Sequence, residues 1–187
     1  LNADLLYNQK VDSASMIDAG IAYASGTGPD GRPTYESPEG RSGEFILTNS
    51  GKDGKSTNFS LNVSKEFDSG ISTTVGYAFT KSENANPMTS SVAGSNYSNL
   101  ATTDAISPSI ATSDYEVPHR FTMRVSYAME LVDGFRTRFN LFGQSSQGRP
   151  YSYTFSRSDR MFGDSNWNGS RQLLYIPTAD DANVVYG

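Results

Sequence analysis

The stretch from Val117 to Phe155 sets the strictest limit on what this chain becomes. Phe121, Met123, Val125, Tyr127, Met129 and Leu131 alternate with Arg120, Thr122, Arg124, Ser126, Ala128 and Glu130. Successive side chains of a strand point to opposite faces, so a period of two describes a strand with one apolar and one polar face. After Val132-Asp133-Gly134 the alternation resumes. Phe135, Thr137, Phe139 and Leu141 form one set, and Arg136, Arg138, Asn140, Phe142 and Gln144 form the other.

The turn sets the register. A three-residue loop over 132–134 puts Leu131 opposite Phe135, Met129 opposite Thr137, Tyr127 opposite Phe139 and Val125 opposite Leu141. On the other face Glu130 then meets Arg136, and Ala128 meets Arg138. A two-residue loop would set Leu131 against Arg136 and mix the faces, so pattern and turn agree only on the longer loop. Gly134 takes the left-handed position that such a hairpin needs.

The same design recurs upstream. Phe59, Leu61, Val63 and Phe67 lie on one face, with Asn58, Ser60, Asn62, Ser64 and Glu66 on the other. Asp68-Ser69-Gly70 is again a three-residue turn ending in glycine, and Ile71, Thr73, Val75, Tyr77 and Phe79 repeat the apolar face. The register predicts Phe67 opposite Ile71, Val63 opposite Val75 and Phe59 opposite Phe79. Lys65 interrupts the apolar face near the turn, where its long stem suits it to reach toward headgroups at a membrane edge.

Two hairpins, 57–82 and 116–157, are therefore expected. Between and around them lie long loops over 1–43, 83–114 and 158–187. Ala3 to Tyr7 is a short apolar patch, Ile17 to Ala24 fits a short strand, and Asp30-Gly31-Arg32-Pro33 reads as a tight turn. Phe45 to Thr48 is a brief apolar run, and Leu173 to Pro177 fits a short strand packing down. The connections alternate strictly between short turn and long loop. Outer-membrane barrels segregate their connections this way, with short turns at one rim and long loops at the other.

Composition agrees. Hydrophobic residues make up 36% of 187 residues, thin for a soluble core but ordinary for a barrel whose alternate residues meet water. A soluble sheet would bury the large apolar face under a second layer. A membrane barrel would turn it to lipid and hold the arginines in a wet lumen. The absence of cysteine excludes disulfides and thiolate metal sites, and the net charge of −5 argues against nucleic-acid binding. No apolar run reaches the roughly 18 residues of a membrane-spanning helix. The chain starts at Leu1 without Met and stops without an obvious closing strand, so we read it as an internal piece of a longer protein. The fold class expected is all-β, an antiparallel up-and-down transmembrane barrel segment. A soluble β-sandwich binding module and a passive porin-type channel are the alternatives.

Several segments resemble the barrel of a TonB-dependent outer-membrane receptor of the Oar-like group. They are ILTNSGKDGKSTNFSLNVSKEF at 46–67, ISTTVGYAFTKSENANPMTSSVAGSNYSN at 71–99, VPHRF at 117–121, GRPYSYTF at 148–155 and LLYIPT at 173–178, in the family's order. The resemblance implies a large barrel of roughly 22 strands with a plugged lumen, of which this piece supplies about four to six strands. It implies location in the outer membrane of a Gram-negative bacterium, contact with outer-membrane lipid, an unknown ligand, and coupling to the TonB complex through a plug domain outside this chain. No cofactor is implied.

No catalytic or metal site is expected. His119, the single histidine, sits between Pro118 and Arg120 with no nucleophile motif nearby, so a structural role at the rim is the simpler reading. Asp159, Asp164, Asp180 and Asp181 lack calcium-loop spacing and read as solvated loop charges. Gly-Arg-Pro at 31–33 and 148–150 forms turns rather than phosphate loops. Two groups remain as candidates. Arg120, Arg124, Arg136 and Arg138 either line a path for anions or hold a plug, or else form a lumen network neutralised by Glu130 and Glu66 that stabilises the wall. Tyr97, Tyr151, Tyr153 and Trp167, with Tyr35 and Tyr115, either stack on a ligand or pack the loops and girdle.

Overall fold

The structure, a computed structural model, describes residues 1–21, 23–28, 30–38, 41–155, 172–177 and 179–181. The strands are β1 (Asn2–Lys10), β2 (Ala14–Asp18), β3 (Tyr23–Thr27), β4 (Pro33–Glu36), β5 (Phe45–Asn49), β6 (Gly54–Glu66), β7 (Ile71–Asn84), β8 (Ala111–Thr112), β9 (His119–Val132) and β10 (Phe135–Ser146). One short helix, α1 (Ala93–Ser98), interrupts them. The fold is all-β, and its chain divides into two compact units.

The first unit comprises Leu1–Gln9, Lys55–Glu83 and Asp114–Pro150. Its strands run in the spatial order β1-β6-β7-β9-β10. Each long strand lies beside the next long strand in the chain, so the sheet is a meander. The pairs β6–β7, β7–β9 and β9–β10 are antiparallel. Register is continuous across four strands. Ser64 pairs with Thr74, Thr74 with Arg124 and Arg124 with Phe142; one row away, Val63 pairs with Val75 and Val75 with Met123. From β6 to β10, even-numbered residues therefore share one face and odd-numbered residues the other.

The predicted registers hold along both hairpins. Phe59 faces Phe79 and Val63 faces Val75. Tyr127 faces Phe139, Val125 faces Leu141 and Met129 faces Thr137, while Glu130 meets Arg136 and Ala128 meets Arg138. At the first turn the Phe67 N–H donates to the Ile71 carbonyl at 2.8 Å and the Gly70 N–H to the Phe67 carbonyl at 3.1 Å. Gly70 has φ +81° and Gly134 φ +79°, the left-handed conformation that glycine adopts without steric cost.

The second turn departs from expectation at its tip. Phe135 pairs with Val132, not Leu131, and the register shifts between Phe135 and Arg136. Asp133 and Gly134 close the turn, and a bulge absorbs the extra residue before the predicted ladder begins. The second hairpin is also shorter than 116–157, since its ladder runs only from His119 to Ser146.

The expected loop at 1–43 starts instead with β1, which joins β6 in the sheet. Leu5, Leu6 and Tyr7 stand in a row and conceal the alternation, and all three are well exposed. Ile17 to Ala24 is not one strand. β2 ends at Asp18 and β3 begins at Tyr23. The apolar run at 45–48 is β5, which pairs with β2. Residues 83–114 likewise carry the end of β7, α1 and β8 rather than loop alone.

The second unit comprises Lys10–Gly54, Asn84–Ser113 and Tyr151–Gly187. It holds the hairpins β2–β5 and β3–β4, and α1 contacts β2 and β5. A small core forms from Ile21, Tyr35 and Ala105, with Ile106 packed against it. Tyr97 is fully buried, its ring 4.9 Å from that of Phe45. Polar braces replace the missing apolar mass. The buried Asp18 carboxylate accepts from the backbone N–H groups of Gly20, Gly43 and Glu44 at 2.9, 2.7 and 3.0 Å. Lys52 Nζ donates to the Pro108 carbonyl at 2.8 Å and to both oxygens of Ser107. The expected turn at 30–33 forms, with Gly31 at φ +82° and Asp30 clasped by Arg32. Leu173 to Pro177 forms no strand; Leu173 makes a single bridge, to Thr154. No helix among the described residues is long and apolar enough to cross a membrane.

Candidate functional site

The sheet of the first unit is a single layer with two unlike faces, and the candidate residues divide between them. The odd face is apolar and bare. Val63, Val75, Phe121, Met123, Phe139 and Leu141 are 44–62% exposed, and Tyr127 is 37% exposed. Such residues gain little from burial as they stand, since each apolar Å² left in water forgoes about 25 cal/mol. A contiguous apolar patch of this kind marks a surface that meets a partner or lipid.

The odd face is also zoned along the strands. In β7 its apolar stretch runs from Ile71 to Phe79, and Lys81 and Glu83 follow at the next odd positions. Lys55, opposite Glu83, pairs with it at 3.2 Å, and Lys81 approaches it at 3.7 Å. At the boundary stands an aromatic cluster. Tyr77 lies 4.8 Å from Phe121 and 6.3 Å from Phe59 between ring centroids, and His119 lies 5.5 Å from Phe79. The Tyr77 hydroxyl and His119 Nδ1 are hydrogen-bonded at 2.9 Å, which gives the single histidine a structural partner. Near the opposite end, Lys65 Nζ sits over the Phe67 ring, 5.2 Å from its centroid, a cation–π contact that lets its charge leave the apolar zone. Eight residue steps from Ile71 to Phe79 span about 27 Å along the strand.

The even face is polar and carries an open hollow of about 540 Å³ near the short turns. Arg124, Arg136 and Arg138 line it together with Glu66, Ser64 and Ser126. Arg120, paired with Ser146 further along the sheet, does not. Among the described residues none of these four arginines makes an ion pair within 4 Å. Neither Glu130 nor Glu66 makes an ion pair with them within 4 Å, although Glu66 lines the same hollow. Glu130 Oε1 instead accepts the Gly134 N–H at 2.5 Å, so the carboxylate closes the turn rather than pairing with Arg136 opposite. Asn140 Oδ1 accepts from Ser126 Oγ at 2.7 Å and from an Arg124 guanidinium nitrogen at 3.4 Å. Gly76 keeps this face low in mid-sheet, because a Cβ there would lie 2.6 Å from Thr122 Oγ1 and 2.8 Å from Asn62 Oδ1.

The loop aromatics do not act as a group. Tyr97 is fully buried and has no surface to offer a ligand. Tyr35 is buried too, and its hydroxyl donates to Asp104 Oδ1 at 2.8 Å. Burial, then the hydrogen bond to Asp104 and its charge, push the Tyr35 hydroxyl well above the ordinary tyrosine value. Burial alone would raise the Asp104 carboxyl, but N–H donors from Ser107 and Ile106, the Tyr35 hydroxyl and the nearby Lys52 charge outweigh it and hold it below the usual carboxylate value. Tyr151 and Tyr153 are 79% and 65% exposed and meet edge to face at 5.6 Å. Tyr115 is exposed as well. Trp167, Asp159 and Asp164 lie outside the described residues. Asp181 accepts a hydrogen bond from the Tyr175 hydroxyl.

The charged border of the odd face escaped sequence reasoning, although Lys55, Lys81 and Glu83 occupy odd positions and the signal was present. Compared with protein-family models, curated proteins and solved structures, the chain matches none.

Proposed function

We propose that this chain forms wall strands and outer loops of a TonB-dependent receptor of the Oar-like group. In this reading it sits in the outer membrane of a Gram-negative bacterium and serves energised passage of a large ligand, not catalysis. One observation carries most of the support. The sheet is a single layer whose strands β6, β7, β9 and β10 are 12–14 residues long, its apolar face bare and zoned, its polar face concave. Soluble strands average 5–6 residues, and a soluble sheet this apolar would be covered. A bilayer supplies that cover, and strands of about 9–11 residues suffice to cross it.

In this mechanism the odd face meets hydrocarbon and the even face lines a watery lumen. The edge strands β1 and β10 pair with further wall strands, since an open edge invites aggregation. The long connections at β1–β6 and β7–β9 hold the ligand outside, and TonB acts on a plug beyond this chain to open the path. Purifying the full-length protein with and without detergent tests the reading. Folded protein that needs detergent or bilayer, with uptake lost when TonB is removed, is the expected result. A monodisperse, folded protein in plain buffer would remove the membrane, and uptake indifferent to TonB would leave a passive channel.

A further inference from the structure

We infer that the concavity on the even face is a binding site for an oxyanion-bearing small ligand, a carboxylate or a phosphate, held by Arg124, Arg136 and Arg138. Those three arginines line one hollow of about 540 Å³ from two neighbouring strands. The nearest candidate counter-charges are accounted for. Glu130 is turned into the Gly134 amide, and Glu66 is the one carboxylate lining the hollow. The three arginines and Lys65, whose ammonium lies over the Phe67 ring, stand against the single Glu66 carboxylate, and no ion pair among the described residues relieves the excess of positive charge.

The rest of the lining suits the same chemistry. Ser72 lines the hollow with a hydroxyl, as do Ser64 and Thr74, whose hydroxyls are hydrogen-bonded to each other at 3.1 Å and so leave one donor between them. Planar guanidinium forks bind carboxylate and phosphate oxygens with two parallel hydrogen bonds, more strongly than neutral donors do. A wall needing only stiffness would have paired these arginines with acids in the facing register. It does so by sequence at Glu130 and Arg136, yet the carboxylate goes elsewhere.

The inference rests on the proposed membrane reading for its place inside a lumen, but not for its chemistry. The test uses the full-length folded protein, with citrate as the carboxylate probe and inorganic pyrophosphate as the phosphate probe, titrated by calorimetry. Saturable binding that weakens with salt is expected, reduced about tenfold or more by Arg136→Gln and by Arg138→Gln, with Arg120→Gln unchanged as the control outside the hollow. A preference for one probe names the source of the oxyanion. Retained melting temperature in each variant shows that the fold survived. No binding by the folded wild type overturns the inference. So does binding indifferent to these arginines. So does a large fall in melting temperature in the glutamine variants without anion binding, which would mean an acidic stretch of the same polypeptide already fills the hollow. Barrel assembly without anion binding leaves the receptor reading standing, whereas anion binding by a protein folded in plain buffer leaves only the site.

Discussion

Gly70 and Gly134 close the two hairpin turns with nearly the same backbone angle, yet their surroundings differ. A Cβ on Gly134 meets nothing within 4 Å, whereas a Cβ on Gly70 would lie 2.6 Å from the Ala128 carbonyl oxygen. Gly134→Ala should therefore cost only the left-handed penalty, about 1–2 kcal/mol. Gly70→Ala should cost more, because it also pushes β9 away and strains the 3.0 Å bond from the Ala128 N–H to the Gly70 carbonyl. Denaturant midpoints of the two variants should rank in that order. Tyr35 and Asp104 give a pH signature of the second unit. The Asp104 carboxyl is depressed, so its contribution is present above its ordinary value of 3.8 and is lost as pH falls below it. The Tyr35 hydroxyl is raised, so its contribution is present below its ordinary value of 10.0 and is lost as pH rises above it. Tyr35→Phe should remove about 1–2 kcal/mol at neutral pH and move the acid limb of a melting-temperature profile upward. An acid limb that stays in place would show that the hydroxyl does not hold down the carboxyl.

The long strands were legible and the short ones largely were not, for a physical reason. In β6, β7, β9 and β10 the same side faces one environment over many residues, so alternation persists; its phase is fixed by the three-residue turn at Gly70 and by the Asp133-Gly134 turn with its bulge. β1 faces its neighbours with Leu5, Leu6 and Tyr7 in sequence, and no period survives. β2 to β5 are four or five residues each and are held by backbone bonds to Asp18 and by Lys52, contacts far apart in the chain that no local pattern records. The arginines of the candidate site were legible as a row, but not that Glu130 would turn from Arg136 to a backbone amide. The facing of the long strands leads to a paired prediction. Phe139→Arg places a charge on the apolar face at a cost of about 2–4 kcal/mol at bilayer midplane and should block assembly into outer-membrane vesicles. Arg136→Leu, on the even face, should assemble while disturbing the polar concavity. Equal tolerance of both in a membrane-assembly assay would contradict the facing.

At the scale of the molecule, the first unit presents an exposed apolar face, and among the described residues no strand pairs with the outer edge of β1 or β10. Its apolar zone, its aromatic and charged border and its strand length each suit a barrel wall, and the connections at the other ends of the short turns are long and folded rather than loose. The account turns on which environment each face meets. Spin labels placed through Tyr127→Cys and Phe139→Cys on the odd face, and through Arg124→Cys and Arg138→Cys on the even face, report this in the full-length protein reconstituted into bilayers. The odd pair should collide more often with oxygen dissolved in the hydrocarbon, and the even pair with a water-soluble nickel chelate. Odd labels shielded from both reagents beneath a second protein layer, with even labels on an open exterior, would contradict it.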